Sequence, residues 1–483
     1  MSNPPRNAIL AAVVLLGVAC LCLAGLGAAS AGVALLSPRQ ALIPAETALP
    51  TPVPLSTRTA LVQAPSAAPT SGQAGTPAPG TPFPTQAALS PAITRQMDQI
   101  EQQVTAIRGL KPTGPLKRTL ITRSQLNDKV VNDFFKDYTP QDARNDETTL
   151  AEFGLLPAGF DPRTFYEKLY AENIAGFYDP KTKEMYVVAD QGFEGPERLT
   201  YAHEYTHALQ DENFDLEKGV GFSDTACKAD SERCAAVQAL IEGDATVVEQ
   251  DWLLTDSTPL DRQQIQASAH DLQTPVYNSA PAFMQQDFLF PYRSGQEFVQ
   301  SLLDRGGWAQ VNTAFRNPPV STEQILHPDR YPGDRPVTVT LPDLTGTLGP
   351  GWTLVSQNPM GEWYTYLILA YGADPHARLS TAAAQTAAEG WGGDEYAVYA
   401  DGQAVEGLLI SQWDTSQDAS EFLTAFTDYG TARWGAPAAG PDGELTWQTG
   451  SGLIYFQLQG QRTTWIMSPD QQTQQAVLAA LAK

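Results

Sequence analysis

The stretch Gly195-Pro196-Glu197-Arg198-Leu199-Thr200-Tyr201-Ala202-His203-Glu204-Tyr205-Thr206-His207-Ala208-Leu209-Gln210 decides how the rest of the chain is read. Pro196 suits the first position of a helix and Glu197 suits the positive end of its dipole, so a helix starts here. On that helix His203 and His207 are four residues apart and aim both imidazoles at one point. Glu204, adjacent to the first imidazole, reaches a water at that point instead of the ion itself. The 483-residue chain has only five His, so a His-Glu-x-x-His pattern produced by composition alone is improbable. The spacing predicts a Zn²⁺ site with His203 and His207 as metal ligands and Glu204 as general base.

Two imidazoles do not complete a catalytic zinc site, which uses three protein ligands and one open position. A metzincin would place Gly and a third His downstream, but Gln210 and Asn213 occupy those positions. The third ligand is therefore expected in Ala239-Leu240-Ile241-Glu242-Gly243-Asp244-Ala245-Thr246-Val247-Val248-Glu249, a second helical stretch. Glu242 is the expected ligand, with Asp244 and Glu249 as acidic alternatives. Glu249, two turns on along the same face, could instead orient a ligand imidazole. Gly243 and Ala245 are small and are expected to let this helix pack closely beside the first.

Upstream, Ile174-Ala-Gly-Phe-Tyr178 is short and apolar, Asp179-Pro180-Lys181-Thr182 carries turn chemistry, and Met185-Tyr-Val-Val188 reads as a returning strand. With these elements in place the sequence resembles the zincin metallopeptidases of the gluzincin type, whose zinc is held by two His and a downstream Glu. His203, Glu204 and His207 match the motif, and Glu242 in Glu-Gly-Asp-Ala resembles the downstream glutamate. The chain also resembles a group of exported bacterial zinc metallopeptidases. Gly-Phe-Tyr-Asp-Pro at 176–180 and Ser-Thr-Glu-Gln-Ile-Leu-His-Pro at 321–328 carry that likeness. It covers roughly 93–342. The glutamate lacks the preceding Asn and following Asp of thermolysin-like enzymes.

The resemblance implies hydrolysis of a peptide or protein substrate. Zn²⁺ would acidify a water and polarise the carbonyl, and Glu204 would carry the proton to the leaving amine. An oxyanion donor is then needed. His327 is the expected catalytic helper, with Tyr331 and Tyr178 behind it. The strand at Met185–Val188 is expected to offer its edge to an extended peptide.

Outside this region, residues 8–36 carry no charge, and 29 helical residues would span about 43 Å against a hydrocarbon core of ~30 Å. Residues 1–37 are expected to be an uncleaved membrane anchor with the remainder outside the cell membrane. Ala29-Ser30-Ala31 offers a cleavage site as the alternative, which would make the protein secreted. Twelve of the 37 Pro lie between Pro38 and Pro91, so 38–92 reads as an extended, disordered stalk. The formal net charge of −24 divides into +2 for 1–92, −16 for 93–344 and −10 for 345–483. Acidity on both folded parts argues against nucleic acid as a partner. Oligomeric state is not legible.

Cys227 and Cys234 lie between the two ligand helices, and a short-loop disulfide is expected. His270 and His376 have no partner pattern. After Pro342, strands are expected at 395–400, 405–412, 445–448, 453–457 and 463–467, with helices at 418–426 and 471–481. Gly390-Trp391-Gly392-Gly393-Asp394 reads as a loop. This second domain, 345–483, shows no catalytic constellation; docking, inhibition and simple packing are its open roles.

The expected fold class is α+β: a mainly helical zincin-like metalloprotease domain with a small sheet over 93–344, followed by a C-terminal α+β domain. The expected function is a membrane-anchored zinc endopeptidase. The alternatives are a surface adhesion protein with structural zinc and a non-peptide amide hydrolase.

Overall fold

Amphipathic spacing at Met97, Ile100 and Val104 forms helix α1 (Pro91–Arg108), capped by Ser90 and closed by Gly109 in the left-handed region. Strand β1 (Lys117–Ile121) follows, then helix α2 (Pro140–Glu152), whose Thr139 and Asp142 make a reciprocal cap. Strands β2 (Gly176–Asp179) and β3 (Glu184–Val188) form the expected hairpin, with Tyr178 opposite Met185. In this computed structural model the described residues are 89–482, apart from 130–134, 136–137, 174–175, 189–191 and 272–273. Residues 1–37, expected as an anchor, and the expected stalk as far as residue 88 lie outside them. No helix among the described residues is long and apolar enough to cross a membrane.

The small sheet has the order β1-β3-β2, with β1 parallel to β3. This corrects one expectation. The Met185–Val188 strand is central and paired on both sides, so it has no edge to offer a peptide. Non-local pairing by Lys117–Ile121, more than sixty residues upstream, covers it.

Helix α3 (Gly195–Phe214) carries the histidine motif. It is buried on all sides from Leu199 to Asp211, as expected of a helix in the middle of a large core. Helix α4 (Ser231–Thr255) is likewise buried without a break from Ala236 to Glu249 and is capped by Asp230. The disulfide Cys227–Cys234 ties the approach to α4. Helix α5 (Phe290–Arg316) bends where Gly306 and Gly307 leave helical geometry, and helix α6 is short (Thr322–Leu326).

Gly243 is small for a different reason from the expected one. A Cβ on Gly243 would lie 2.2 Å from the carbonyl carbon of Gly295, and one on Gly295 would lie 2.1 Å from the carbonyl oxygen of Ala239. At Gly243 the close approach is therefore between α4 and α5, backbone to backbone, while α4 meets α3 through other residues, such as Gln210 at Ile241 O.

The C-terminal part holds strand β4 (Thr353–Asn358), helix α7 (Gly361–Tyr371), β5 (Trp391–Ala400), β6 (Val405–Trp413), helix α8 (Ser416–Trp434), β7 (Ala438–Ala439), β8 (Leu445–Gln448), β9 (Leu453–Gln459), β10 (Arg462–Ser468) and helix α9 (Gln471–Leu481). They form one antiparallel sheet in the order β4-β5-β6-β10-β9-β8-β7. The glycine-rich stretch expected as a loop begins β5 instead, with a register irregularity between Trp391 and Gly393.

Strand periodicity sorts the two faces of this sheet. Val398, Leu409, Phe456 and Trp465 face the main core, whereas Ala397, Leu408, Tyr455 and Ile466 face a smaller cluster with Val477 of α9. The main core is continuous from Met97 to Met467, so the segments before and after residue 344 share one hydrophobic interior. The fold is α+β, as expected, with a three-stranded and a seven-stranded sheet.

Candidate metal centre

Helices α3 and α4 bring together His203, His207 and Glu242. The two Nε2 atoms are 3.2 Å apart, and Glu242 Oε2 lies 3.2 Å from that of His203 and 3.4 Å from that of His207. All three residues are buried. The outer ring nitrogens are each engaged. His203 Nδ1 meets Glu249 Oε2 at 2.8 Å, and His207 Nδ1 meets Gln210 Oε1 at 2.9 Å. Gln210 Nε2 donates to Ile241 O at 3.0 Å and to Asp244 Oδ2 at 2.8 Å, which fixes which end of the amide faces His207.

These contacts have a chemical consequence. Carboxylate and amide oxygens only accept, so both Nδ1 atoms donate, and in neutral imidazoles both Nε2 lone pairs then face Glu242 Oε2. Three acceptors converging in a buried site need a positive charge between them. A proton relieves one contact; a cation relieves all three. A tetrahedral ion with ligand distances of ~2.0–2.1 Å separates its donors by about 3.3–3.4 Å, close to the spacings seen. Glu242 Oε1 is buried without a hydrogen-bond partner. The donor set and its spacing fit zinc.

The electrostatics agree. Burial raises the Glu242 carboxyl, but His207 and His203 outweigh it and bring it down to about 2. Burial depresses His203, yet its hydrogen bonds to Glu242 and Glu249 hold it well above the usual imidazole range. The point between these groups attracts positive charge.

Glu204 is also buried, with a carboxylate oxygen within 4.8 Å of ring nitrogens of both His203 and His207. Its Oε2 accepts the Tyr178 N–H of β2 at 2.9 Å. Burial pushes this carboxyl up to about 6, against the opposing influence of His207 and His203. The hairpin thus fixes Glu204 through its backbone, while Tyr178 OH donates to Asp211 Oδ2 at 2.8 Å and anchors the strand to α3.

Of the acidic alternatives, Glu249 takes the orienting position on His203. Asp244 turns away from the ring nitrogens: its Oδ1 lies 2.7 Å from Arg108 Nε, with both side chains fully buried. Arg108 also donates to Asn312 Oδ1 at 2.8 Å and stacks 4.5 Å from the Trp308 ring. A chain Arg108–Asp244–Gln210–His207 therefore supports the second imidazole from behind. Sequence reasoning missed Gln210 and Arg108. Gln210 had a local signal, three residues after His207 on the same helical face; Arg108 had none.

The structure does not bring His327 to this cluster. Its Nε2 lies 2.9 Å from Glu362 Oε1 of α7. Gly361, next to Glu362, abuts Glu232 near the start of α4, ten residues and about 15 Å of helix before Glu242. His327 is thus a tie between α6 and α7, not a group beside the histidine pair. Tyr331 donates to Asn317 O at 2.7 Å and serves the fold in the same way. An aromatic ring beside the histidine pair is Tyr292, 6.2 Å from the His203 ring. His376 is exposed, and the side chain of His270 lies outside the described residues. A second acidic group, Glu323, Asp334 and Asp414, surrounds Arg330, which pairs with all three.

Comparison with known families matches residues 353–478 to a domain of unknown function (DUF8575). The match spans β4 to α9 and includes none of the metal-centre residues. Searches among curated proteins and among solved structures give no match.

Proposed function

We propose that the chain is a zinc-dependent endopeptidase of the zincin type, with His203, His207 and Glu242 as ligands and Glu204 as general base. The observation that carries this reading is the convergence of two imidazole Nε2 atoms and one carboxylate oxygen at 3.2–3.4 Å, with a further carboxylate beside them. Structural zinc sites usually close with four protein ligands, whereas three ligands with a neighbouring acid are the catalytic pattern. When bound, zinc would polarise a carbonyl and acidify a water. Glu204, held at Oε2 by the Tyr178 amide, accepts the proton of the attacking water and returns it to the leaving amine. Glu249 and Gln210 keep both imidazoles in the tautomer that presents Nε2. The anchor and the placement outside the cell membrane belong to the same reading and rest on residues 1–92.

The test uses the purified full chain. Glu204→Gln should retain stoichiometric zinc while chelator-sensitive peptide hydrolysis falls ~10²–10⁴-fold, the range of a general base. Glu242→Ala should lose zinc. Undiminished hydrolysis in Glu204→Gln refutes the catalytic role and favours an adhesion protein with structural metal. Full zinc retention in Glu242→Ala refutes the ligand assignment.

A further inference from the structure

A cavity of about 110 Å³ lies between α2, the first turns of α4, the start of α5 and the β4–α7 connection. Its walls are largely apolar, from Leu150, Phe153, Phe290 and Met360. Three carboxyls also line it: Asp146, Glu232 and Asp287. Each accepts only from neutral donors. Asp146 takes the Tyr138 hydroxyl, Glu232 the Thr322 amide and hydroxyl, and Asp287 the Trp363 indole and Tyr364 hydroxyl. Among the described residues none of the three has a basic partner. Burial accordingly raises Asp146 to about 7 and Asp287 to about 6. Two further side chains on the cavity, Thr149 at 7% exposure and Gln238 at 3%, have a polar atom without a hydrogen-bond partner.

Two elements that line the cavity continue toward the candidate metal centre. Ser231, Ala235 and Gln238 line it along one stripe of α4, and Glu242 is the next residue of that stripe, about 6 Å beyond Gln238. On α5, Pro291 lines the cavity and the neighbouring Tyr292 ring lies against His203. An apolar cavity with carboxyls in its wall suits an aliphatic stem carrying a cation. Size narrows the guest further. A cavity of roughly 150 Å³ accommodates the six heavy atoms of benzene, so about 110 Å³ accommodates four or five. That matches Cγ to Nζ of lysine and is short for the guanidinium of arginine.

We infer that this cavity is the pocket for a lysyl side chain of the substrate, placed so that the lysine neighbours the bond at the metal centre. The inference rests on the endopeptidase reading. Part of the wall, from Ser356, Asn358, Met360, Tyr364 and Tyr396, comes from the segment matched to the domain of unknown function. On this reading that segment completes the substrate pocket.

The experiment compares zinc-loaded full chain on matched peptides with lysine, norleucine or arginine beside the scissile bond. Norleucine keeps the stem and removes the ammonium. The expected result is kcat/KM at least tenfold higher for lysine than for either analogue, with the preference lost in Ala235→Phe, which fills the cavity, and reduced in Asp287→Asn. Thr149→Val is the milder variant if either of these fails to fold. Equal cleavage of lysine and norleucine peptides overturns the inference, as does a lysine preference untouched by all three variants. If no peptide is cleaved in a chelator-sensitive way, the endopeptidase reading has failed, and the pocket is judged by binding. Calorimetry should then show n-butylamine at least tenfold tighter than butan-1-ol, with the difference lost in Ala235→Phe; equal binding overturns the pocket as well.

Discussion

Gly243→Ala is the sharpest perturbation of the candidate metal centre, because it alters none of the proposed ligands and adds one methyl group. The added Cβ would sit 2.2 Å from both the carbonyl carbon and oxygen of Gly295 and 2.7 Å from Gln296 N. Ordinary contact begins near 3.4 Å, and backbone cannot swing aside, so α4 and α5 must part by roughly 1.2 Å. Overpacking of this kind costs about 1–3 kcal/mol, while the gain in helix propensity from Gly to Ala returns no more than about 1. Glu242 is the adjacent residue, with Oε2 at 3.2 and 3.4 Å from the two Nε2 atoms. A displacement near 1 Å takes at least one of those spacings far from the ~3.3–3.4 Å of a tetrahedral site. The assays are zinc stoichiometry after dialysis and thermal melting with and without zinc. Gly243→Ala should bind zinc weakly, melt lower, and lose most of the zinc-dependent gain in Tm. Gly295→Ala, whose Cβ would meet Ala239 O at 2.1 Å, should do the same. Gly346→Ala, with nothing within 4 Å, is the neutral control. Stoichiometric zinc and an unchanged melt in Gly243→Ala would show that the two helices cross more loosely than these distances require, and would refute the reasoning.

Gln210→Leu removes the acceptor from His207 Nδ1, and a lost orienting partner of this type should weaken metal binding about 10–100-fold, read by competition with a chromogenic chelator. Arg108→Met leaves Asp244 buried opposite no cation; this should cost about 3–5 kcal/mol in urea unfolding, and Arg108→Met with Asp244→Leu should recover part of it. Asp394 gives a pH signature. Burial, opposed by the hydrogen bonds from the Met360 and Gly361 amides, raises it from 3.8 to about 7. Because the folded state holds this proton more tightly, its contribution is complete below the unfolded value near 3.8 and is lost as pH rises through about 7. Asp394→Asn should therefore match the parent near pH 4 and exceed it at pH 8, by at most roughly 4 kcal/mol. Equal stability differences at both pH values would show that the carboxyl ionises without penalty.

What the sequence revealed was local. The hairpin at 176–188, the disulfide between Cys227 and Cys234 and the start of α3 each depend on residues a few positions apart, and all are present. The ends of several elements were not legible. Gly392 and Gly393 look like a loop because glycine is poor in strands, yet β5 begins at Trp391, paired with Trp413. What distance in sequence conceals is pairing. Lys117–Ile121 gives no sign that it will cover β3, nor His327 that Glu362 will hold its ring, nor Arg108 that its counter-charge is 136 residues away.

Gly243 is different, because its true neighbour could have been told from the wrong one by helix geometry alone. Successive residues on a helix point about 100° apart. If Glu242 faces α3, Gly243 cannot, and its missing side chain must serve some other helix. The same rotation brings Glu249 back to within about 20° of Glu242 after seven residues, which is why both carboxylates reach His203, one at each ring nitrogen. Asp244 falls about 200° from Glu242; it pairs with Arg108 and still reaches Gln210 of α3, but not the ring nitrogens. The helical angle groups Glu249 with Glu242 at His203 and sets Asp244 apart from both. It leaves Gly243 as the point where α5 can close against α4 and hold that rotation fixed.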